Sequence, residues 1–167
     1  MAATRADLFA FLDRLGIAHR TIEHPPLPTV EAAMAIWGGM SGGFAKNLFV
    51  KDKKSRLFLI TLRKDAALDL KHVQAMIGAS GRVSFCTADQ LMEHLGILPG
   101  SVTPFGVLND TAGAVTVVLE KALLELDPVH VHPLENTATT AVSAEGLVAF
   151  LRATGHEPLV VDLPLVA

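Results

Sequence analysis

The spacing of apolar and polar residues along the chain predicts helices and strands in alternation. Apolar positions recur at helical intervals over residues 4–15, which predicts a first helix with Thr4 as its N-cap residue. Residues 57–62 are almost wholly apolar, which is typical of a strand that is buried on both faces. A polar turn at residues 52–55 separates this strand from an apolar run over residues 46–50. The two runs are therefore predicted to pair as a β-hairpin.

The alternation continues along the rest of the chain. Further helices are predicted over residues 29–36, 68–77, 87–96 and 143–154, with N-cap residues at Thr87 and Ser143. Further strands are predicted over residues 18–23, 82–85, 115–119, 129–131, 139–142 and 160–163. No linker is long enough to divide the chain. The sequence thus predicts a single α/β domain over residues 1–167, with a mixed parallel and antiparallel β-sheet and surrounding helices.

Composition narrows the class of protein. The 167 residues are 50% hydrophobic and 19% charged, so the chain is expected to form its own core. The single cysteine, Cys86, excludes an internal disulfide, and it is predicted to be a small core residue. Aromatic residues are too few for a base-stacking platform. No apolar run approaches the ~20 residues of a membrane helix, and the first residues lack the core of a signal peptide. A cytoplasmic location without a membrane partner is expected.

Positive charge is concentrated in one stretch of an otherwise acidic chain. The formal net charge is −3, yet residues 46–71 hold eight basic residues against three acidic ones. This stretch therefore carries +5 and the remainder of the chain −8. Such a distribution favours an anionic partner that docks at one place. A solvated, lysine-rich hairpin turn is the alternative explanation.

The common catalytic motifs are absent from the sequence. There is no phosphate-binding P-loop, no G-x-S-x-G elbow, no H-E-x-x-H helix and no C-x-x-C pair. His130 and His132 would share one face of a strand, as metal ligands can, but Glu135 is the only nearby candidate for a third ligand. We therefore predict no metal site, and two half-buried histidines near a strand end.

Lys46 is the most informative polar residue. It follows a glycine-rich loop and begins an apolar strand, where an ammonium group can hold a carbonyl or phosphate oxygen. Asn47 alternates to the other face and can donate a hydrogen bond to backbone or ligand. A second loop at residues 100–104, predicted to be exposed, can wall a small pocket because its glycine permits close approach and its proline fixes one end. A solvated edge lysine is the alternative explanation for Lys46.

Five segments, in order and at compatible spacing, resemble the YbaK/ProX family of prolyl-tRNA editing domains. They read KNLF at 46–49, LDLK at 68–71, PGSVTPFG at 99–106, LND at 108–110 and HPLENTATT at 132–140. The branch that the chain most resembles is freestanding and removes alanine that has been wrongly loaded onto proline tRNA. The resemblance implies the family's mixed-sheet fold and an aminoacyl-tRNA deacylase, which hydrolyses the ester bond.

The resemblance also implies roles for individual residues. The family's essential lysine maps to Lys46, its neighbouring asparagine to Asn47, and the histidine of its H-P-L segment to His132, so these three are the expected catalytic residues. The expected substrate-binding residues are Gly100, Ser101, Val102, Thr103, Pro104, Asn109 and Asp110. The basic stretch is expected to meet the tRNA through Lys51, Lys53, Lys54 and Arg56.

The expected chemistry needs neither cofactor nor metal, because an aminoacyl ester is already reactive and the family is thought to use the substrate's own ribose hydroxyl. The expected partners are the acceptor end of mischarged tRNA(Pro) and, as a further candidate, prolyl-tRNA synthetase; the protein itself is expected to be a monomer or a homodimer. Three alternatives stay open. They are a deacylase for Cys- or Ser-charged tRNA, a non-catalytic module that binds aminoacyl-tRNA or a synthetase, and an α/β domain that binds a small molecule.

Overall fold

A computed structural model describes residues 2–26, 35 and 40–166 of the chain. Its helices are α1 (Arg5–Arg14), α2 (Val73–Ile77), α3 (Ala88–Leu95), α4 (Lys121–Leu124) and α5 (Ala144–Ala153), with a 3-10 helix at Pro104–Asn109. Its strands are β1 (His19–Glu23), β2 (Gly43–Lys51), β3 (Leu57–Arg63), β4 (Ser84–Phe85), β5 (Val115–Glu120), β6 (Val129–Val131), β7 (Ala138–Val142) and β8 (Leu159–Val161).

The strands form one mixed sheet, as the sequence predicts. Their order is β1-β7-β6-β2-β3-β5-β8, and β4 pairs with the far end of β2. The pairs β2–β6, β3–β5 and β5–β8 are parallel, whereas β1–β7, β6–β7, β2–β3 and β2–β4 are antiparallel. The predicted hairpin is β2–β3, and it occupies the centre of the sheet.

The central strand β3 is buried on both faces, which confirms the prediction from its apolar run. Leu57 and Leu59 belong to a core that also takes in residues of α1, α3, α5 and the 3-10 helix. Phe58, Ile60 and Leu62 belong to a second core on the other face, which is covered by α2. Each fully buried side chain of this size stabilises the fold by roughly 1.5–3 kcal/mol. The sheet is therefore a rigid platform for side chains at the ends of its strands.

The helix starts follow the capping residues in the sequence. Thr4 and Asp7 form a reciprocal capping box on α1, and Thr87 and Gln90 form another on α3. The side chain of Ser143 accepts a hydrogen bond from the backbone of the first turn of α5. These contacts satisfy N–H groups that would otherwise lack partners, and they confirm the three predicted starts.

Three elements differ from the predictions. The helix predicted over residues 68–77 is shortened to α2, because Leu68 instead forms a β-bridge with Leu165. The strand predicted over residues 82–85 is reduced to β4, and the short helix α4 was not predicted. The helix predicted over residues 29–36 lies outside the described residues, Ala35 excepted.

Candidate active site

Parallel pairing of β2 with β6 brings the segments that carry Lys46 and His132 together. Phe44 pairs with His130, and their rings stack with centroids 4.2 Å apart. Lys46 and His132 each lie two residues further along their chain segments. Because alternate residues of a strand share a face, Lys46 lies on the same side of β2 as Phe44, and His132 is the first residue after β6.

Lys64 joins this face from the end of β3. Its backbone N–H donates to the carbonyl of Phe44 at 2.7 Å, and Lys46 pairs with Leu62 in the β2–β3 register. Lys64 is therefore the diagonal cross-strand neighbour of Lys46. Partial burial lowers the pKa of the Lys64 ammonium group, and the positive charge of Lys46 lowers it further.

The ring of His132 is half-buried and oriented by the backbone. Its Nδ1 lies 3.1 Å from the carbonyl oxygen of Ala138, and a carbonyl can only accept, so Nδ1 carries the proton. Burial lowers the pKa of His132 below its ordinary value of 6.5; the bond to Ala138 opposes this, and the charges of His24 and Lys64 add to it. The ring is thus neutral at pH 7, and its Nε2 is left as a hydrogen-bond acceptor.

His24 extends the group towards β1. Its backbone N–H donates to the carbonyl of Thr137, and its Nε2 lies 2.7 Å from the hydroxyl of Thr139 on β7. His24 and Lys64 both act electrostatically on His132, and Lys46 acts on Lys64. We call these four residues, His24, His132, Lys46 and Lys64, the basic row, since these electrostatic effects link them.

Asn47 lies on the face of β2 opposite Lys46. Its Nδ2 donates to the carbonyl of Val102 at 3.1 Å, and its Oδ1 accepts from the hydroxyl of Thr61 at 2.6 Å. Both ends of the amide are therefore occupied within the protein. Asn47 connects the central hairpin to the loop at residues 100–104 and fixes the position of that loop.

The loop at residues 100–104 is only partly exposed, which corrects the prediction. Gly100 is exposed and has a φ of +89°, whereas Ser101, Thr103 and Pro104 are buried. A cleft of about 190 Å³ opens on one side of the loop, between Asn47 and Cys86. A cleft of about 310 Å³ lies on the other side, and its lining includes Leu98, Ser101, Leu134 and Asn136. The loop therefore separates two clefts, and it meets β2 through Asn47 rather than Lys46.

The structure places Asn109 and Asp110 within the framework of the fold. The amide of Asn109 accepts from the backbone N–H of Ala3 at 2.7 Å and donates to the carbonyl of Leu95 at 2.8 Å. The buried carboxylate of Asp110 accepts from two backbone N–H groups at residues 114–115 and lies 2.7 Å from Nε2 of His156. These contacts hold the chain around the 3-10 helix. A substrate-binding role for either residue stays a prediction.

The four basic residues expected to meet tRNA lie at the hairpin turn, away from the basic row. Lys51 is five residues from Lys46 along β2, which corresponds to about 17 Å at roughly 3.4 Å per residue. Lys51 contacts Gln90 at 3.3 Å, and Arg56 pairs with the buried Asp52 at 2.9 Å. Lys53 and Lys54 are exposed. The turn is thus held by its own contacts and presents these two lysines to solvent.

The described residues do not favour a nucleophilic cysteine or a metal site. Burial raises the pKa of Cys86, so its thiol stays protonated and is a poor nucleophile. Within residues 2–26, 35 and 40–166, no three metal-ligating side chains gather in one place. In the same ranges, no helix has the length and apolar character needed to cross a membrane.

Sequence reasoning assigned no role to Lys64 or His24. The signal for Lys64 was present in the hairpin: counting back from the turn at residues 52–55 places Lys46 opposite Leu62 and Lys64 one diagonal step away. No local pattern connects His24 to His132, because their approach depends on the pairing of β1 with β7 and of β7 with β6.

Comparisons with known proteins agree with this architecture. The model of the aminoacyl-tRNA editing domain family matches residues 24–150. The prolyl-tRNA editing protein ProX of Acetoanaerobium sticklandii is 38% identical over 157 residues, which cover 93% of this chain and 95% of that protein. The prolyl-tRNA synthetase associated domain-containing protein 1 of Danio rerio is 38% identical over 160 residues, covering 95% of this chain and 86% of the relative.

Solved structures share the fold at lower identity. The crystal structure of a candidate trans-editing enzyme for prolyl-tRNA synthetase has a TM-score of 0.73 and 21% identity, with 98% of each chain covered. The family match spans β2, the whole basic row and the loop at residues 100–104. The chain therefore belongs to the family of aminoacyl-tRNA editing domains.

Proposed function

We propose that the protein is a trans-editing hydrolase that removes alanine from mischarged tRNA(Pro). Two lines of reasoning support this. The relatives that cover nearly the whole chain are named for prolyl-tRNA editing or for association with prolyl-tRNA synthetase. The observation that carries the proposal is that Lys46 and a half-buried His132 of lowered pKa both follow the paired residues Phe44 and His130.

Hydrolysis of an aminoacyl ester requires stabilisation of the developing negative charge and does not require a nucleophilic side chain. Water adds to the ester carbonyl carbon, the bond to the ribose oxygen breaks, and that oxygen takes up a proton, which gives free alanine and uncharged tRNA. The Lys46 ammonium group stabilises the negative charge that develops on the carbonyl oxygen. The unprotonated Nε2 of His132 accepts a hydrogen bond from the attacking water or from the neighbouring ribose hydroxyl.

Asn47 acts as a positioning residue in this proposal. Its contacts with Thr61 and Val102 hold the loop at residues 100–104 against the hairpin. A loop fixed in this way admits a methyl side chain and excludes bulkier groups by steric contact. Smaller or similar side chains are discriminated by only about 1–3 kcal/mol per methylene, so serine and cysteine are the amino acids to compare with alanine.

The acceptor end of tRNA(Pro) is the proposed partner, with prolyl-tRNA synthetase as a candidate for delivering it. The exposed Lys53 and Lys54 are suited to phosphates of the acceptor stem, and such contacts weaken with added salt. The cytoplasm, where tRNA is charged, is the proposed location. The reaction as proposed needs no cofactor.

The decisive experiment measures hydrolysis of Ala-, Pro-, Ser- and Cys-tRNA(Pro) by wild-type protein, Lys46→Ala and Lys121→Ala. Lys121 is an exposed lysine at the start of α4, so it is a matched control for the loss of one charge. We expect wild-type and Lys121→Ala to release alanine and spare proline, and Lys46→Ala to be inactive. Faster hydrolysis of Ser- or Cys-tRNA(Pro) than of Ala-tRNA(Pro) would assign the enzyme a different substrate. Tight binding of charged tRNA without hydrolysis would indicate a non-catalytic module instead.

A further inference from the structure

The larger cleft beside the loop at residues 100–104 contains two polar side chains without partners. The hydroxyl of Ser101 and the amide of Asn136 both line it, and neither side chain has a hydrogen-bond partner among the described residues. Ser101 is only 7% exposed, and a polar side chain this far buried is usually hydrogen-bonded. A ligand in the cleft would supply the missing partners.

The cleft carries no free charge in the part of the chain that the structure describes. The one ionisable group in its described lining is Glu135, whose carboxylate pairs with Arg5 at 2.8 Å. Most of the remaining wall is apolar and comes from Met92, Ile97, Leu98 and Leu134. Met92 and Leu98 are 44% and 65% exposed, so an apolar ligand surface would cover them. Such a lining disfavours a phosphate or an ammonium group, and it favours a neutral group with an apolar face and a hydrogen-bonding edge.

One wall of the cleft belongs to the loop that holds His132. This loop runs from His132 to Ala138 and is closed by the hydrogen bond between Nδ1 of His132 and the carbonyl of Ala138. Its residues 134–137 line the cleft. Leu134 has a φ of +70°, which is unfavourable for a residue with a Cβ, and its side chain is packed into the core. A ligand in the cleft therefore contacts the loop that orients His132.

The volume of the cleft suits the base of the proposed substrate better than its amino acid. The cleft measures about 310 Å³, which lies at the lower end of the range of about 300–1,000 Å³ for small-molecule sites. The methyl group of alanine is similar in size to one water molecule, about 30 Å³, and would leave most of this space empty. The terminal nucleotide of tRNA is an adenosine, and its ribose bears both the ester and the base. Adenine is neutral and planar, with an amino donor and ring-nitrogen acceptors along its edge.

The unpartnered polar groups match that edge. An asparagine amide can accept a hydrogen bond from N6 of adenine and donate one to N7 at the same time. Asn136 has both ends of its amide available among the described residues, whereas the amides of Asn47 and Asn109 are occupied within the protein. The hydroxyl of Ser101 can donate to a further ring nitrogen.

We propose that this cleft binds the terminal adenine base of the tRNA, with Asn136 at N6 and N7 and Ser101 at a further ring nitrogen. This inference rests on the proposed function for the identity of the substrate. It deepens that function by assigning the base to the cleft and the ester to Lys46 and His132. Asn136 and Ser101 thereby contribute affinity and fix the position of the ribose.

The test uses CCA trinucleotides that carry alanine through a 3′-amide, which resists hydrolysis. Three versions differ only in the terminal base: adenine, purine, which lacks the N6 amino group, and 7-deazaadenine, which lacks the N7 acceptor. We expect wild-type protein to bind the adenine version about 10-fold more tightly than either of the others, as for the loss of one hydrogen bond at a desolvated site. Isothermal titration calorimetry measures the three dissociation constants.

Variants of the two polar residues give distinct patterns. Asn136→Ala should bind the three versions equally. Asn136→Asp keeps the acceptor for N6 and lacks the donor to N7, so it should still discriminate against purine but no longer against 7-deazaadenine. Ser101→Ala should weaken binding of all three versions alike, because its ring nitrogen is present in each. Thr116→Ala changes an exposed residue outside the lining of the cleft and should behave as the wild type.

Equal binding of the three versions by the wild type, or a full preference in Asn136→Ala, would overturn the proposal. A second series, with 2-aminobutyrate in place of alanine, tests the amino acid as the occupant of the cleft. If Asn136→Ala and Ser101→Ala keep the base preference but change the ratio of affinities for the alanyl and 2-aminobutyryl versions, the cleft holds the amino acid and the proposal is wrong.

The outcome is independent of the test of the proposed function, because binding is measured without turnover. A wild-type protein that hydrolyses no aminoacyl-tRNA but shows an Asn136-dependent base preference would retain the adenine site and lose the proposed enzyme. A protein that deacylates Ala-tRNA(Pro) while Asn136→Ala keeps the base preference would retain the enzyme and lose the adenine site.

Discussion

Lys46 and His132 each lie two residues beyond the stacked pair of Phe44 and His130, at which β2 and β6 pair in parallel. The stacked rings and the strand register fix how the two segments that carry Lys46 and His132 lie relative to each other. Because His132 is also held by the carbonyl of Ala138, its free nitrogen has a defined direction. The site is therefore organised by the sheet before any substrate binds.

The first prediction concerns the charge state of His132. Burial and the charges of His24 and Lys64 lower its pKa below 6.5. The neutral imidazole, whose Nε2 can accept a hydrogen bond, therefore persists to a lower pH than in an ordinary histidine. Replacing Lys64 by methionine removes one of these charges and should raise the pKa of His132. An NMR titration of the imidazole resonances in wild type and Lys64→Met measures the shift directly.

Lys121→Met is the control for this titration and should leave His132 unchanged. If Lys64→Met also leaves the pKa of His132 unchanged, or lowers it, the two residues are not electrostatically coupled and the basic row is not a unit.

The second prediction concerns the amide of Asn47. Thr61 is fully buried and its hydroxyl donates to Asn47, so Asn47→Ala leaves a buried polar group without its partner. We expect a loss of about 1–3 kcal/mol in the free energy of unfolding. Thr61→Val removes the other partner, and the double variant should cost less than the two single variants together. Urea unfolding of the four proteins measures this coupling.

Strict additivity of Asn47→Ala and Thr61→Val would contradict the hydrogen bond. Asn47→Ala should also lower kcat/KM for the aminoacyl-tRNA, since the loop at residues 100–104 loses its contact with β2 at Val102. Thr61→Val keeps that contact and should affect kcat/KM less.

The sequence was sufficient for the parts of the fold that local rules govern. The capping residues of α1, α3 and α5 and the β2–β3 hairpin are all properties of neighbouring residues, and they were predicted correctly. The helix predicted from residue 68 failed because tertiary pairing prevailed over local spacing. Leu68 bridges to Leu165, and the backbone of Asp69 bonds to Pro164.

The candidate site was predicted only in part for the same reason. The resemblance pointed to Lys46, Asn47 and His132, but their relation depends on strands that are distant in sequence. The parallel β2–β6 pairing brings together the segments that carry Lys46 and His132, and the bond from Asn47 to Val102 spans 55 positions. Hydrophobic periodicity within a short window of the sequence predicts neither the β2–β6 pairing nor the hydrogen bond from Asn47 to Val102.

The third prediction concerns acid stability and the turn that carries Lys53 and Lys54. Burial opposes ionisation of Asp52, but hydrogen bonds from the backbone at Ser80, Arg56 and Lys54 and from the Arg56 side chain lower its pKa from 3.8 to about 2. Between these values the unfolded chain binds the proton more readily than the folded one. The contribution of Asp52 is therefore present above pH 3.8 and is lost as the pH falls towards 2.

Asp52→Asn removes this dependence. Unfolding of the variant in urea should show a shallower loss of stability between pH 3.8 and 2 than the wild type, together with a lower melting temperature at pH 7. The exposed Asp65→Asn is the control and should follow the wild-type slope. Parallel slopes for wild type and Asp52→Asn would exclude the proposed role of the carboxylate.

The fourth prediction concerns Gly42, which precedes β2 and sets its approach to β6. Gly42 has a φ of +106°, and a Cβ there would lie 2.3 Å from the carbonyl oxygen of Pro128. Gly16 also has a positive φ, of +70°, but a Cβ there meets nothing within 4 Å. Gly16→Ala should therefore cost only the backbone strain, about 1–2 kcal/mol. Gly42→Ala should cost about 3 kcal/mol or more, because backbone atoms must shift.

The two glycine variants should also differ in activity. Gly42 directly precedes Gly43, whose backbone N–H bonds to Pro128, and the pairing of β2 with β6 begins there. We expect Gly42→Ala to lower kcat for deacylation at a temperature where the variant is still folded, as judged by circular dichroism, and Gly16→Ala to leave kcat unchanged. Equal destabilisation with equal kcat would mean that strain alone explains both glycines. The close approach at Pro128 would then have no part in aligning the two side chains.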